Sequence, residues 1–209
     1  MILAGLTGGI GTGKSTVSAI FQKAGALIVD ADQISHDVVQ QGKPAWKSIV
    51  DGFGEGILLA GGEIDRIALG RIIFNDMTQK LRLDKMVHPH VFREMTNKIN
   101  EIALSDPDAV VILDVPLLIE TNMHQNVPDT ILVYAPEEVQ ISRLMKRDGI
   151  SEVDALAKIR SQLSIEEKKK LIKIVIDNSG SVADTRTRTL AVYDYLKQKR
   201  YHRDLKWND

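Results

Sequence analysis

The run Gly8-Gly9-Ile10-Gly11-Thr12-Gly13-Lys14-Ser15 constrains this chain more than any other feature, because it satisfies G-x-x-x-x-G-K-[ST] directly after the apolar residues 2–6. Glycines at 8, 9, 11 and 13 remove the Cβ atoms that would hold a wrapped backbone away from an anion, so successive N–H groups can turn toward phosphate oxygens. Lys14 adds a mobile positive charge and Ser15 a hydroxyl suited to Mg²⁺. A helix starting near Gly13 would direct the positive end of its dipole at the same place. Gly11, Thr12, Gly13, Lys14, Ser15 and Thr16 are therefore the expected nucleotide-binding residues. A glycine-rich turn with a chance lysine is the alternative, but it requires no particular sequel. Here residues 16–24 read TVSAIFQKA, with Val17, Ile20 and Phe21 on one helical face.

With 209 residues, 44% of them hydrophobic, the chain can bury a real core, as one domain with insertions or a core plus small satellites. The absence of cysteine from the sequence excludes disulfides and thiolate metal sites and is compatible with a reducing cytoplasm, the expected location. Nothing resembles an export signal, and no run approaches the ~18 apolar residues of a membrane span, so no membrane association is expected. The 27 basic and 28 acidic residues leave a net charge of −1, which gives no global field to attract nucleic acid. Anion recognition must be local, and no obligatory protein partner is implied.

Short apolar runs alternate with helical stretches along the chain, which is the pattern of a parallel sheet covered on both faces. Candidate strands are residues 2–6, 26–29, 110–115, 130–134 and 172–176. Each ends near polar residues: the glycine loop, Asp30 and Asp32, Asp114, Ala135-Pro136, and Asp177-Asn178. In an open α/β sheet ligands bind at the carboxyl ends of strands, so these residues are expected along one crevice. Two connections exceed a simple crossover. About eighty residues separate the second and third candidate strands, with helical patterns at 64–74 and in a longer pair interrupted at His88-Pro89. After the fourth, residues 137–147, 151–163 and 165–171 read as consecutive Lys- and Arg-rich helices, suited to a mobile lid over phosphates. No internal repeat is seen, and the tail after Tyr201 is polar enough to fray.

The segments G-L-T-G-G-I-G-T-G-K-S-T (5–16), D-A-D (30–32), H-P-H-V (88–91), D-V-P-L-L-I-E (114–120), Q-x-x-R-x-x-x-R-D (140–148) and I-D-N-S-G-S (176–181) together resemble the dephospho-coenzyme A kinases, in order and over nearly the whole chain. The resemblance implies a three-layer α/β/α P-loop fold with a five-stranded parallel sheet, a helical acceptor-binding insertion and a helical lid. The nucleotide-binding core would comprise 1–32, 106–136 and 172–209, the acceptor subdomain 33–105, and the lid 137–171. It further implies transfer of the ATP γ-phosphoryl group, with Mg²⁺, to the ribose 3′-hydroxyl of dephospho-CoA.

Individual residues can be matched to that chemistry. Phosphoryl transfer needs in-line placement and neutralisation of the equatorial oxygens, a role that suits Lys14, Mg²⁺ on Ser15, and lid arginines. An alcohol acceptor benefits from a carboxylate that orients it and takes its proton; Asp32 is the candidate, with Asp30 as structural partner. The competing reading is that one of these aspartates caps the helix starting near Gln33. Asp114 closes a strand and is placed to hold Mg²⁺ through water, to serve the acceptor beside Pro116, Leu117 and Leu118, or to bond loop amides. Arg143 and Arg147, four apart, would share a helix face and clamp the donor, against the alternative of a solvated charged stripe; Arg160 and Gln162 are weaker candidates. The run Lys168-Lys169-Lys170 reads as a solvated face. His88-Pro89-His90 makes a poor metal site, and the resemblance puts His88 on the acceptor side, either meeting adenosine or locking the junction where Pro89 would start a new helix. Asn178 would contact the adenine or form a plain turn with Ser179 and Gly180.

The chain departs from the family pattern at Ile172-Lys173-Ile174, where an Ala-Asp pair is usual, and at Gln162-Leu163-Ser164, where Gln-Met-Pro is usual. Two other functions fit the glycine loop: another small-molecule kinase, such as a nucleoside monophosphate or shikimate kinase, and a nucleotide-dependent binding switch. D-A-D and D-V-P-L-L disfavour the former.

Overall fold

The computed structural model describes residues 1–74 and 76–204. Its five strands are β1 (Ile2–Gly8), β2 (Leu27–Asp30), β3 (Val110–Asp114), β4 (Asp129–Tyr134) and β5 (Ile174–Asp177), in the sheet order β2-β3-β1-β4-β5. β1 pairs parallel with β3 and β4, and β4 parallel with β5. The strands read as unbroken apolar runs because successive side chains enter opposite faces and both faces are covered. On one face Ile2, Ala4 and Leu6 join Ile112, Ile131 and Val133 against Val17 and Phe21 of α1 (Lys14–Lys23) and Leu196 of α9 (Val182–Asp204). On the other, Leu132 packs with Ile119, with Ile165 of α8 (Ile165–Leu171) and with Ile172. The result is a three-layer α/β/α arrangement.

The chain divides into two compact units, one formed by Met1–Val29 with Ile102–Asp209 and the other by Asp30–Glu101. The first, an α/β unit, also carries α6 (Glu137–Asp148) and α7 (Glu152–Arg160). Caps set the starts of the following helices: Ser151 accepts from the Asp154 N–H, and Ser164 forms a reciprocal box with Glu167. Leu144 of α6 packs with Ala155 and Ile159 of α7, and Ile10 of the glycine loop joins that cluster.

The second unit is helical: α2 (Ala31–Val38), α3 (Pro44–Phe53), α4 (Arg66–Phe74) and most of α5 (Met77–Ser105). Its core is small, with Ile49, Ile57 and Leu69 buried and Phe53, Leu83 and Val87 packed against them.

Two expectations need correction. α5 runs straight through His88-Pro89 as one helix rather than a broken pair. Pro89 and Lys85 are both exposed, so the carbonyl deprived of its i+4 donor faces water, while Val91 and Met95 are buried. β5 begins at Ile174 rather than 172, because Ile172 ends α8 and enters the core there. α9 extends to Asp204, and the rest of the tail after Tyr201 that was expected to fray, residues 205–209, lies outside the described residues. No helix among the described residues is long and apolar enough to cross a membrane.

Candidate active site

The loop between β1 and α1 is set by backbone geometry that its sequence demands. Gly13, the cap residue of α1, has φ 85°, and an added Cβ there would collide with the Asn178 amide nitrogen. Gly11 has φ 81°, and a Cβ there would come within 2.8 Å of the Gln140 carbonyl on α6. No side chain caps α1, so the first turn of that helix, which contains Lys14 and Ser15, presents its amides to a ligand. Thr12 faces inward: it is fully buried, and both its N–H and its hydroxyl donate to the Gly9 carbonyl, at 3.2 and 2.8 Å. Its role is to close the loop.

Two expected ligand-binding residues, Arg143 and Asn178, brace this loop from behind, together with Gln140. The Arg143 guanidinium donates to the carbonyls of Gly11 (3.4 Å), Thr12 (3.2 Å) and Asn178 (2.7 Å). The fork that was expected to clamp phosphate is engaged here by carbonyls that the tight loop turns outward. Asn178, buried beyond β5, donates to the Thr12 carbonyl at 2.7 Å and accepts from the Thr185 hydroxyl at 2.6 Å. Gln140, also buried, donates to the Ala135 carbonyl at 2.8 Å and packs against Gly9. Arg147 points elsewhere, to a surface cluster: it meets Asp148 with two bonds of 2.7 and 3.2 Å, and Lys158 adds a third at 2.8 Å. Arg147 and then Lys158 hold the Asp148 carboxyl far below the usual range, while Asp148 raises the Arg147 guanidinium.

Lys14 forms an ion pair with Asp114 across the carboxyl ends of β1 and β3, where Leu6 and Asp114 are paired in register. The Asp114 side chain is 6% exposed and that of Lys14 is 19% exposed. An exposed Ser15 hydroxyl and the Asp114 carboxylate make an all-oxygen donor set, which fits Mg²⁺. Among the described residues no cluster of three or more His, Asp or Glu side chains could cage a metal, so phosphates and water would complete any coordination here. Beyond Asp114, the Pro116 carbonyl accepts from the buried Thr7 hydroxyl at 2.9 Å and Leu117 is exposed. Leu118 is fully buried and lies where any side chain at Gly5 would go. It anchors the turn rather than facing a ligand.

Two contacts come from the stretch after α7. Gln162 Oε1 accepts from the Ile10 N–H at 3.1 Å. Lys168 is fully buried, its ammonium 2.7 Å from Glu120 and donating to the Gly8 carbonyl at 3.3 Å. This corrects the solvated face expected for Lys168-Lys169-Lys170. The legible signal was spacing: Lys168 follows Ile165 by about one turn of α8, on the face that Ile165 turns to the core. Lys169 instead lies 4.1 Å over the Tyr134 ring, and the Tyr134 hydroxyl, which donates to Glu166, is pushed up to about 12 by that bond.

In the helical unit, Asp30 is the cap of α2, accepting from the Gln33 N–H at 3.0 Å, and Asp32 stands exposed in the first turn. A cavity of about 720 Å³ is lined by His36, Arg66, Asp84 and His88 together with Leu69 and Leu83. Arg66 donates to His36 across 3.1 Å, and His88 lies 3.9 Å from Asp84.

Known proteins align with this arrangement over nearly its whole length. The model of the dephospho-CoA kinase family matches residues 2–184. A dephospho-CoA kinase of Carboxydothermus hydrogenoformans is 47% identical over 197 residues, covering 94% of this chain and 95% of that protein. One from Oryza sativa subsp. japonica is 44% identical, covering 89% and 80%. The crystal structure of TT1252 from Thermus thermophilus superposes with a TM-score of 0.78 at 33% identity, covering 92% of this chain and 95% of that one. The dephospho-CoA kinase from Campylobacter jejuni gives 0.72 at 29%, covering 95% and 98%. By its sequence and by its sheet, this chain belongs to the dephospho-CoA kinase family.

Proposed function

We propose that the loop of residues 8–15 holds the triphosphate of ATP for the reaction of this family, the ATP-dependent phosphorylation of dephospho-CoA to coenzyme A. The observation that carries the loop assignment is Gly13, left-handed and without a capping side chain, at the head of α1 with Lys14 and Ser15 in the first turn. Lys14 neutralises charge on the transferring phosphoryl group once the triphosphate takes it from Asp114. Ser15 and Asp114 are the residues that would hold Mg²⁺, which when bound supplies further neutralisation of the phosphate oxygens. Arg143 and Asn178 keep the loop in shape from behind, and Arg147 meets the donor side only on leaving Asp148.

Asp32 orients the acceptor hydroxyl and receives its proton. What supports this reading is that the capping duty of the pair falls to Asp30. The helical unit's cavity, with Arg66 beside apolar Leu69 and Leu83, suits an acceptor that carries both phosphates and a long flexible arm; His88 on its wall serves the same ligand. Pro116 and Leu117, after β3, complete the acceptor contacts. A coupled ADP-release assay that offers dephospho-CoA beside nucleoside monophosphates, adenosine and shikimate tests this. Turnover with dephospho-CoA alone is expected; acceptor-independent hydrolysis, or preference for another alcohol, would overturn it.

A further inference from the structure

We propose that Gln162 and Lys168 act together as a clasp that fixes the entry half of the phosphate loop before nucleotide arrives. They are positioning residues. Gln162 takes the Ile10 N–H and Lys168 donates to the Gly8 carbonyl, so the loop is gripped through one donor and one acceptor two residues apart. Because peptide units are planar, these two bonds hold the planes on both sides of Gly9. Gly9 itself is tied inward by the two Thr12 bonds to its carbonyl. Gly8 and Gly9 are the residues with most backbone freedom to lose, and freedom removed in advance does not have to be removed when the triphosphate binds.

The chemistry at residue 168 argues for such a role. On the buried face of α8, one turn after Ile165, a leucine or methionine would fill the same space without a charge to bury. A buried ammonium is costly unless paired, and replacing a buried ion pair by apolar side chains is often neutral or stabilising. Glu120, at the end of the D-V-P-L-L-I-E segment, supplies the counter-charge at 2.7 Å. Neither of its buried oxygens makes a hydrogen bond of regular geometry. The pair is thus a poor device for stability alone. What an apolar pair would lose is the bond to Gly8.

The inference rests on the reading of the loop as the ATP site, which Lys14→Met tests separately through loss of ATP turnover. Two variants address the clasp. Gln162→Met keeps the length of the side chain and removes the acceptor. Lys168→Met combined with Glu120→Leu removes the bond to Gly8 without stranding a buried carboxylate. The measurements are the Kd for ATP by titration without acceptor, the KM for dephospho-CoA, and the thermal midpoint. Each variant is expected to weaken ATP about five- to tenfold, the size of one lost hydrogen bond, while the KM for dephospho-CoA stays at the wild-type value. Wild-type ATP affinity in both folded variants would overturn the clasp. So would a parallel rise in the dephospho-CoA KM, which marks general loosening. If the double variant fails to fold, the Gln162→Met titration decides alone.

Discussion

The α/β unit and the helical unit handle polar groups in opposite ways. In the α/β unit, Thr7, Thr12, Gln140, Lys168 and Asn178 are all buried; Thr12, Lys168 and Asn178 bond carbonyls of the phosphate loop, and Thr7 and Gln140 bond those of Pro116 and Ala135. The sheet core around Ile112 and Ile131 supports that network, so the loop is held on a close-packed base. In the helical unit one buried cluster gathers Ile49, Ile57 and Leu69 with their neighbours, and Ile34, Ala45, Val91 and Met95 are buried besides. Its charged residues line an open cavity, and Ile67, Phe74 and Met77 are exposed. The contrast suits a kinase whose donor needs a preformed cradle for small, highly charged groups. A long flexible acceptor can instead be received by a roomier, more adaptable surface.

That contrast can be broken by mutation. The largest effect is expected from Lys14→Met in the α/β unit: kcat for phosphoryl transfer falls by about a thousandfold or more, because a charge aimed at the transition state is lost. Stopped assays of product formation measure it, and a loss under tenfold would remove Lys14 from the chemistry. In the helical unit Arg66→Ala is expected to raise the KM for dephospho-CoA by about tenfold and leave that for ATP unchanged, since a bond to a charged group is worth about 1.5–3 kcal/mol. Equal changes in both constants would dissolve the division between the units. Arg143→Met probes the brace rather than the ligand. Losing its three carbonyl bonds should lower the thermal midpoint by about 5 °C, on the basis of about 2 kcal/mol in a chain of this size, and differential scanning calorimetry would read it.

The smallest effect concerns Asp148, whose folded carboxyl is held below its ordinary value by Arg147 and Lys158. A depressed acid stabilises above its unfolded pKa, near 3.9, and loses that contribution as pH falls toward the folded value. Asp148→Asn should therefore be slightly less stable than wild type at neutral pH. The gap should close progressively below about pH 4, with thermal melts at several pH values as the check.

The parts legible in the sequence were those with a local cause. Strand runs, the glycine loop and the start of α1 follow from side-chain period and from backbone sterics. The sheet matches the expected strands apart from shifted ends such as Ile172. Roles that depend on what a side chain meets across the fold were less visible. Arg143 and Arg147 share a helix and a spacing of four, yet one turns to loop carbonyls more than 130 positions earlier and the other to its own neighbour Asp148. Nothing in their local sequence distinguishes them. Pro89 misled because a proline usually ends a helix, whereas here the unpaired carbonyl falls on an exposed face. Lys168 was misread by composition, since its charge sits in a run of three, although the period of α8 put it inward.

The role proposed for Asp32, taking the proton of the acceptor hydroxyl, is checked by Asp32→Asn. Paired measurements of dephospho-CoA-dependent ADP release and of the Kd for ATP should show turnover reduced by about a hundredfold or more with ATP binding unchanged, the size expected for a lost general base. Turnover at the wild-type rate would contradict the account.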